Sequence, residues 1–146
     1  MRLVLDTDVL IAGLRSDRGA SRQLLLLALD KQLVMLASVP LMIEYESVAT
    51  RAEQLKQSCM STEDTNLILD AFAAVVEPVN LRFLWRPRLK DPGDEMVLET
   101  AVNGGADHIA TFNLRHLAEA AAVFGIRAAR PGEILREIKG ADHEKK

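Results

Sequence analysis

Cysteine is nearly absent from this chain: the single Cys59 among 146 residues can close no internal disulfide and has no partner for a thiolate zinc site. Histidine is also scarce, and His108, His116 and His143 are scattered, so a transition-metal cluster of imidazoles is not expected. Long apolar runs are missing too. The longest, Leu24 to Leu29, falls far short of the roughly 20 residues that span a bilayer, and the N-terminus lacks a signal-peptide layout. The expectation is a soluble, cytoplasmic protein with no membrane partner. Nor is there an excess of positive charge. With 18 Lys and Arg against 21 Asp and Glu the formal net charge is −3, so no overall field draws the chain onto nucleic acid. Binding to RNA or DNA would have to be local and helped by cations. Any metal would have to be held by carboxylates, which selects Mg²⁺ or Mn²⁺ over zinc.

What the chain does contain is 49% hydrophobic residues, enough for one compact core. One domain over residues 1–139 is expected, followed by a polar, frayed tail over 140–146. Short β-prone runs at Leu3–Leu5, Leu33–Ala37, Pro78–Phe83, His108–Thr111 and Ile126–Ala129 alternate with helical segments. The helices are read at Ala20–Lys31, from Pro40 to about Arg51, at Asn66–Val76 behind a capping sequence at Ser61, from Asp91 to Gly104, at Leu114–Phe124 and at Pro131–Lys139. Arg15 to Gly19 reads as a loop. This alternation predicts an α/β fold: a three-layer α/β/α sandwich with a mainly parallel central sheet of about four to five strands.

In such sheets sites form where strand ends lead into helices. Three strand ends carry polar residues there: Asp6 and Asp8 after the first, Ser38 after the second, and Asn113 after the HIAT strand. Asp6 and Asp8 interrupt the apolar run LVLDTDVLI, and a buried unpaired carboxylate costs several kcal/mol, so the charge must reach the surface or meet a counter-ion. On the helix after Asp91, set Asp94 at zero and advance 100° per residue. Val97, Leu98, Ala101 and Val102 then fall at about 300°, 40°, 340° and 80°, and Asp94 lies in the middle of the apolar stripe. Glu95 and Glu99 fall toward its edge, where water can reach them. Asp94 can be read as a first-turn acid beside an Asp91 cap, or as an inward acid in need of a partner. Glu44 and Glu46 flank the apolar face of the Pro40 helix on opposite sides, and either could turn toward a site. Carboxylates gathered at one point repel unless divalent cations intervene. Such cations also lower the pKa of bound water and stabilise an in-line phosphoryl displacement. Without a serine or cysteine nucleophile signature, the pattern points to metal-assisted phosphodiester hydrolysis.

The stretches LVLDTDVLIAGL, SVPLMIEYESV, KDPGDEMVLETAVNGGADHIATFN and GIRAARPGEIL together resemble the PIN-domain nucleases, in particular the VapC-like toxin components of toxin-antitoxin systems. The resemblance runs from Met1 to about Ile138. It implies an endoribonuclease dependent on Mg²⁺ or Mn²⁺, cutting single-stranded or loop RNA. By position, Asp6, Glu44 and Asp94 match the family's acids and are the implied metal ligands. The fourth position departs from the pattern: the family reads Thr-x-Asp where this chain has Thr111-Phe112-Asn113. Asn113 would then orient water or weaken a second ion, which favours one-metal chemistry. Asp8, Ser38, Asp91 and Thr111 are supporting candidates. Arg15, Arg82, Arg86 and Arg88 are candidate RNA contacts, the last three in a basic loop that also holds Phe83 and Trp85. The implied partners are an RNA substrate, a small antitoxin protein and, as one option, a second copy in a homodimer.

Two other readings stand beside this one. A catalytically degenerate PIN domain would bind RNA or protein, with Asn113 marking the lost activity. A haloacid-dehalogenase-type phosphatase also opens with Asp-x-Asp after an apolar strand, but Leu98 stands where its later second acid belongs.

Overall fold

Strand β1 (Arg2–Leu5) occupies the centre of a five-stranded sheet, and its Leu3, Val4 and Leu5 are wholly buried. Burial on both faces is what a run without polar alternation requires, and it places helices on either side of the sheet. The computed structural model describes residues 1–16, 18–82 and 91–144. After β1 come helices α1 (Thr7–Arg15) and α2 (Ala20–Leu29), strand β2 (Val34–Ala37), helices α3 (Val39–Ala49), α4 (Ala52–Ser58) and α5 (Thr62–Val75), and strand β3 (Glu77–Pro78). Helix α6 (Pro92–Gly104), strand β4 (His108–Ala110), helix α7 (Leu114–Val123), strand β5 (Arg127–Ala129) and helix α8 (Pro131–Glu144) follow.

The strand order is β3-β2-β1-β4-β5, and every pairing is parallel. Leu3 lies opposite Met35 on one side, and Leu5 lies opposite Ala110 on the other. The chain therefore builds outward from β1 in one direction through β2 and β3, then crosses to the other side for β4 and β5. That reversal opens a crevice beyond the carboxyl ends of β1 and β4, the usual place for a ligand in an open α/β sheet. The core is pinned by Tyr45 of α3 and Phe72 of α5, both fully buried and meeting edge to face with centroids 5.9 Å apart. Gly105 ends α6 with a left-handed φ of 64°, the conformation a helix terminus assigns to glycine.

The three-layer α/β/α arrangement agrees with the sequence reading, and the sheet is parallel throughout. Several boundaries differ. Helices α1 and α4 had no counterpart in that reading. α1 buries Thr7, Val9, Leu10, Ile11, Gly13 and Leu14 and leaves Asp8 and Arg15 exposed on one side, but it follows β1 directly, so the run LVLDTDVLI hides where strand gives way to helix. α4 buries no residue at all and offers no stripe to read. β3 covers Glu77–Pro78 instead of Pro78–Phe83, and residues 83–90 lie outside the described residues. α8 continues to Glu144 where a frayed tail from Gly140 was expected. Among the described residues no helix is long and apolar enough to cross a membrane.

Candidate functional site

Asp6 is the residue between β1 and α1, and its backbone N–H donates to the Ala110 carbonyl at 2.9 Å, locking the end of β1 to the end of β4. It holds the N-cap position of α1, yet its side chain makes no cap hydrogen bond. The carboxylate is turned sideways instead. Its Oδ2 accepts from the hydroxyl of Thr111, the residue directly after β4, at 2.7 Å. The Thr111 Oγ1 in turn accepts from the Asn113 backbone N–H at 2.9 Å.

Asn113 repeats this behaviour. It is the N-cap residue of α7 and its side chain caps nothing; its Nδ2 donates to Asp94 Oδ2 at 3.1 Å. Asp94 sits in the first turn of α6 and is 5% exposed, the inward position that helical phasing assigned to it. Glu95, which the same phasing put at a solvated edge, is buried as well, because α6 is enclosed at its first turn more widely than a single stripe. Asp6, Thr111, Asn113 and Asp94 thus form one connected set across the ends of β1, β4 and α6. A side-chain cap stabilises a helix by about 1 kcal/mol. Two helices give that up so that Asp6 and Asn113 can face the crevice.

Burial opposes negative charge at both acids of this set. Burial raises the Asp6 carboxyl from 3.8 to about 6, and the charges of Asp8 and Asp94 push the same way. The Thr111 hydroxyl and the Thr7 backbone oppose the rise. Burial also raises Asp94, with Asp91 and Asp8 adding to it, while His116 and the Asn113 amide pull down. The Tyr45 phenol lies close enough for Asp6 to add to the rise that burial causes, and its hydroxyl donates to the Leu5 carbonyl. Among the described residues no Lys or Arg forms an ion pair with Asp6, Asp8 or Asp94.

The other sequence candidates fall into two groups. Asp8 is exposed in the first turn of α1 and contributes its charge to both buried acids. Glu44 is half-buried on α3, with no hydrogen bond or ion pair to Asp6 or Asp94 among the described residues. Ser38 and Asp91 are helix caps. Ser38 Oγ accepts from Leu41 N–H at 3.4 Å and lies 2.7 Å from Thr100 Oγ1, while the exposed Asp91 accepts from Gly93 N–H at 2.7 Å. Arg15 is at the far end of α1 from Asp6, about 12 Å along the axis, and its guanidinium is held by Gln54. Arg82 donates its backbone N–H to Asn103 at 3.0 Å, at the end of α6 away from Asp94. Arg86 and Arg88 lie outside the described residues.

The sequence reading missed Thr100, fully buried between Ser38 and the Met96 carbonyl, and His116, one turn into α7 and near enough to act on Asp94. His116 follows Asn113 by three residues, a spacing that puts it on the same helix face as the cap.

Among the described residues no three His, Cys, Asp or Glu side chains are grouped to hold one ion. Asp6, Glu44 and Asp94 do not close into a three-carboxylate cage. The donor set still suits one kind of cation. Burial and neighbouring carboxylates oppose the ionisation of both acids, which an added cation would relieve, and Mg²⁺ is commonly held by one or two carboxylates with water and substrate phosphate filling the remaining positions.

The sequence matches the family model described as PIN domain over residues 2–115. No curated protein matches it. Among solved structures it is similar to a chain in the crystal structure of VapBC2 from Rickettsia felis, bound to a DNA fragment from their promoter. The TM-score is 0.60 at 15% identity, over 89% of this chain and 98% of that one, a likeness of fold.

Proposed function

This chain belongs to the PIN-domain family, whose members are generally nucleases, and from that premise we propose that it is a Mg²⁺- or Mn²⁺-dependent endoribonuclease, the toxin of a toxin-antitoxin pair. The observation that carries the reading is the linked pair of buried carboxylates, Asp6 and Asp94, joined through Thr111 and Asn113, with no Lys or Arg ion pair to either among the described residues. The antitoxin partner is proposed on the likeness to VapBC2, and a homodimer is the further assembly it would be tested for. Family membership sets aside the phosphatase reading.

Asp6 and Asp94 would hold the ion directly, with Glu44 acting from α3 through water. When bound, the cation supplies positive charge to the scissile phosphate and lowers the pKa of an attacking water. The chain's own residues do the rest. Thr111 orients the Asp6 carboxylate and favours its ionised form. Asn113 fixes Asp94 and leaves its own amide oxygen free to orient water. Asp8 adds negative charge at the mouth of the site, which strengthens attraction for the ion. Water adds to phosphorus, the P–O3′ bond breaks, and the products are a 5′-phosphate and a 3′-hydroxyl. Arg86 and Arg88 are proposed to contact RNA beyond the cleaved bond, and Arg15 and Arg82, at helix ends away from the acids, would meet the strand farther along.

The test is incubation with structured and unstructured RNA, with Mg²⁺, with Mn²⁺ and with EDTA, comparing the native chain with Asp6→Asn. Cleavage that requires the cation and disappears in Asp6→Asn supports the reading. Cleavage that persists in EDTA or in the variant contradicts it, and RNA binding without cleavage moves the chain to the degenerate class.

A further inference from the structure

The site described above is negative, and so is the chain as a whole, so a polyanionic strand needs positive charge beyond any one ion to settle against it. The described arginines named from sequence do not supply that charge near the acids. The structure supplies it elsewhere. A groove of about 520 Å³ lies between the α1–α2 turn, at Ser16 and Gly19, and the start of α8, and Phe112, Arg130 and Arg136 line it.

Phe112 joins this groove to the acids. It is 48% exposed, and both its chain neighbours are fixed in the site: Thr111 on Asp6, Asn113 on Asp94. The ring's backbone is therefore held in place relative to the two carboxylates. Arg130 follows β5 as Thr111 follows β4, because Ala110 pairs with Ala129 and the Thr111 N–H donates to the Ala129 carbonyl at 3.0 Å; it is level with the residue before Phe112. Arg136 shares a helix face with Gly132 and Glu133 of α8. Both arginines are exposed, and neither guanidinium has a hydrogen bond or ion pair among the described residues. Glu133, the carboxylate on the same wall, is paired with Arg127 at 3.5 Å.

We propose that this groove is a nucleotide subsite, in which a base next to the cleaved bond of a single-stranded RNA stacks on Phe112 and the following phosphates lie against Arg130 and Arg136. The inference rests on the nuclease reading for which bond is cut, but its own content is where the flanking strand runs. An aromatic face accepts any base, and arginine provides forked donors for phosphate oxygens. A single strand with its bases unpaired is the form that can use both.

The experiment measures fluorescence anisotropy of a labelled single-stranded RNA of about eight nucleotides, in Ca²⁺, with the native chain and with Phe112→Ala, Phe112→Trp, Arg130→Gln and Arg136→Gln. Phe112→Ala is expected to weaken binding on the order of tenfold and Phe112→Trp to restore it. Each arginine variant is expected to reduce the slope of log affinity against log salt by about 0.7. Thermal melts at the native value certify the fold of each variant. RNA affinity unchanged in the folded variants overturns the subsite, including the case where the same variants instead lose a small co-encoded protein, which would make the groove a protein interface. Failure of the native chain to bind RNA also overturns it. A native chain that cuts RNA while the variants bind normally keeps the nuclease reading and rejects the subsite. A native chain that binds through the groove without cutting does the reverse.

Discussion

Asn113 holds the N-cap position of α7 and spends its side-chain amide on Asp94, 3.1 Å away, instead of on its own helix. The neutral amide thus faces an acid with a donor, where an aspartate would face it with a second negative charge. The amide at this position spares the site a further negative charge beside Asp94.

Replacing Asn113 with Asp should reverse that. The donor to Asp94 is lost and a like charge takes its place, so both carboxyls are driven further up and the cation-free chain loses about 1–3 kcal/mol at pH 8. Saturating Mn²⁺ should restore more stability to this variant than to the native chain. Thermal melts with and without Mn²⁺ measure both effects.

Asp6 gives a stability trend with a defined sign. The folded chain keeps a proton on Asp6 up to about pH 6, whereas the unfolded chain releases it near 3.8. Between those values the folded state binds more protons, so stability falls as pH rises and levels off above about 6. At neutral pH the penalty is on the order of 3 kcal/mol at most. Asp6→Asn should therefore be more stable than the native chain at pH 7.5 and within about 0.5 kcal/mol of it near pH 4. Urea unfolding at the two pH values checks this.

Thr111→Val removes the hydroxyl that favours the ionised Asp6. A hydrogen bond to a charged group contributes about 1.5–3 kcal/mol. The acidic limb of the cleavage rate should move to higher pH, with little loss well above it. A pH–rate profile of the two proteins reads the shift.

Ser38 and Asp91 should behave in the opposite way to Asp6. Both cap helices, and Ser38 also meets Thr100 at 2.7 Å. Ser38→Ala and Asp91→Ala should each lose about 0.5–2 kcal/mol of stability while retaining cleavage. Melting temperature and RNA cleavage measured together separate the caps from the site.

The sequence showed the sheet through its short apolar runs and showed Asp94 through helical phase, because each of those signals depends on periodicity alone. Glu44 stayed ambiguous for the same reason: it lies at the edge of its stripe, and it is half-buried in the structure. Arg15 was placed by its closeness in sequence to the first strand. The intervening helix α1, hidden because its apolar run continues that of β1, carries it to the far end. His116, Phe112 and Arg130 went unread because tertiary contacts assemble them: the β4–β5 pairing sets Arg130 level with Thr111, and His116 acts on Asp94 from α7, and neither contact leaves a local period in the sequence.

If Asp6 and Asp94 hold one divalent cation between them, titration of the protein with Mn²⁺ at pH 6, by calorimetry in buffers of different ionisation enthalpy, will show it. Binding should release protons as the ion displaces the one on Asp6, and both binding and release should disappear in Asp6→Asn and fall sharply in Asp94→Asn. Equal Mn²⁺ affinity in the native chain and both variants, with no proton release, would contradict the account.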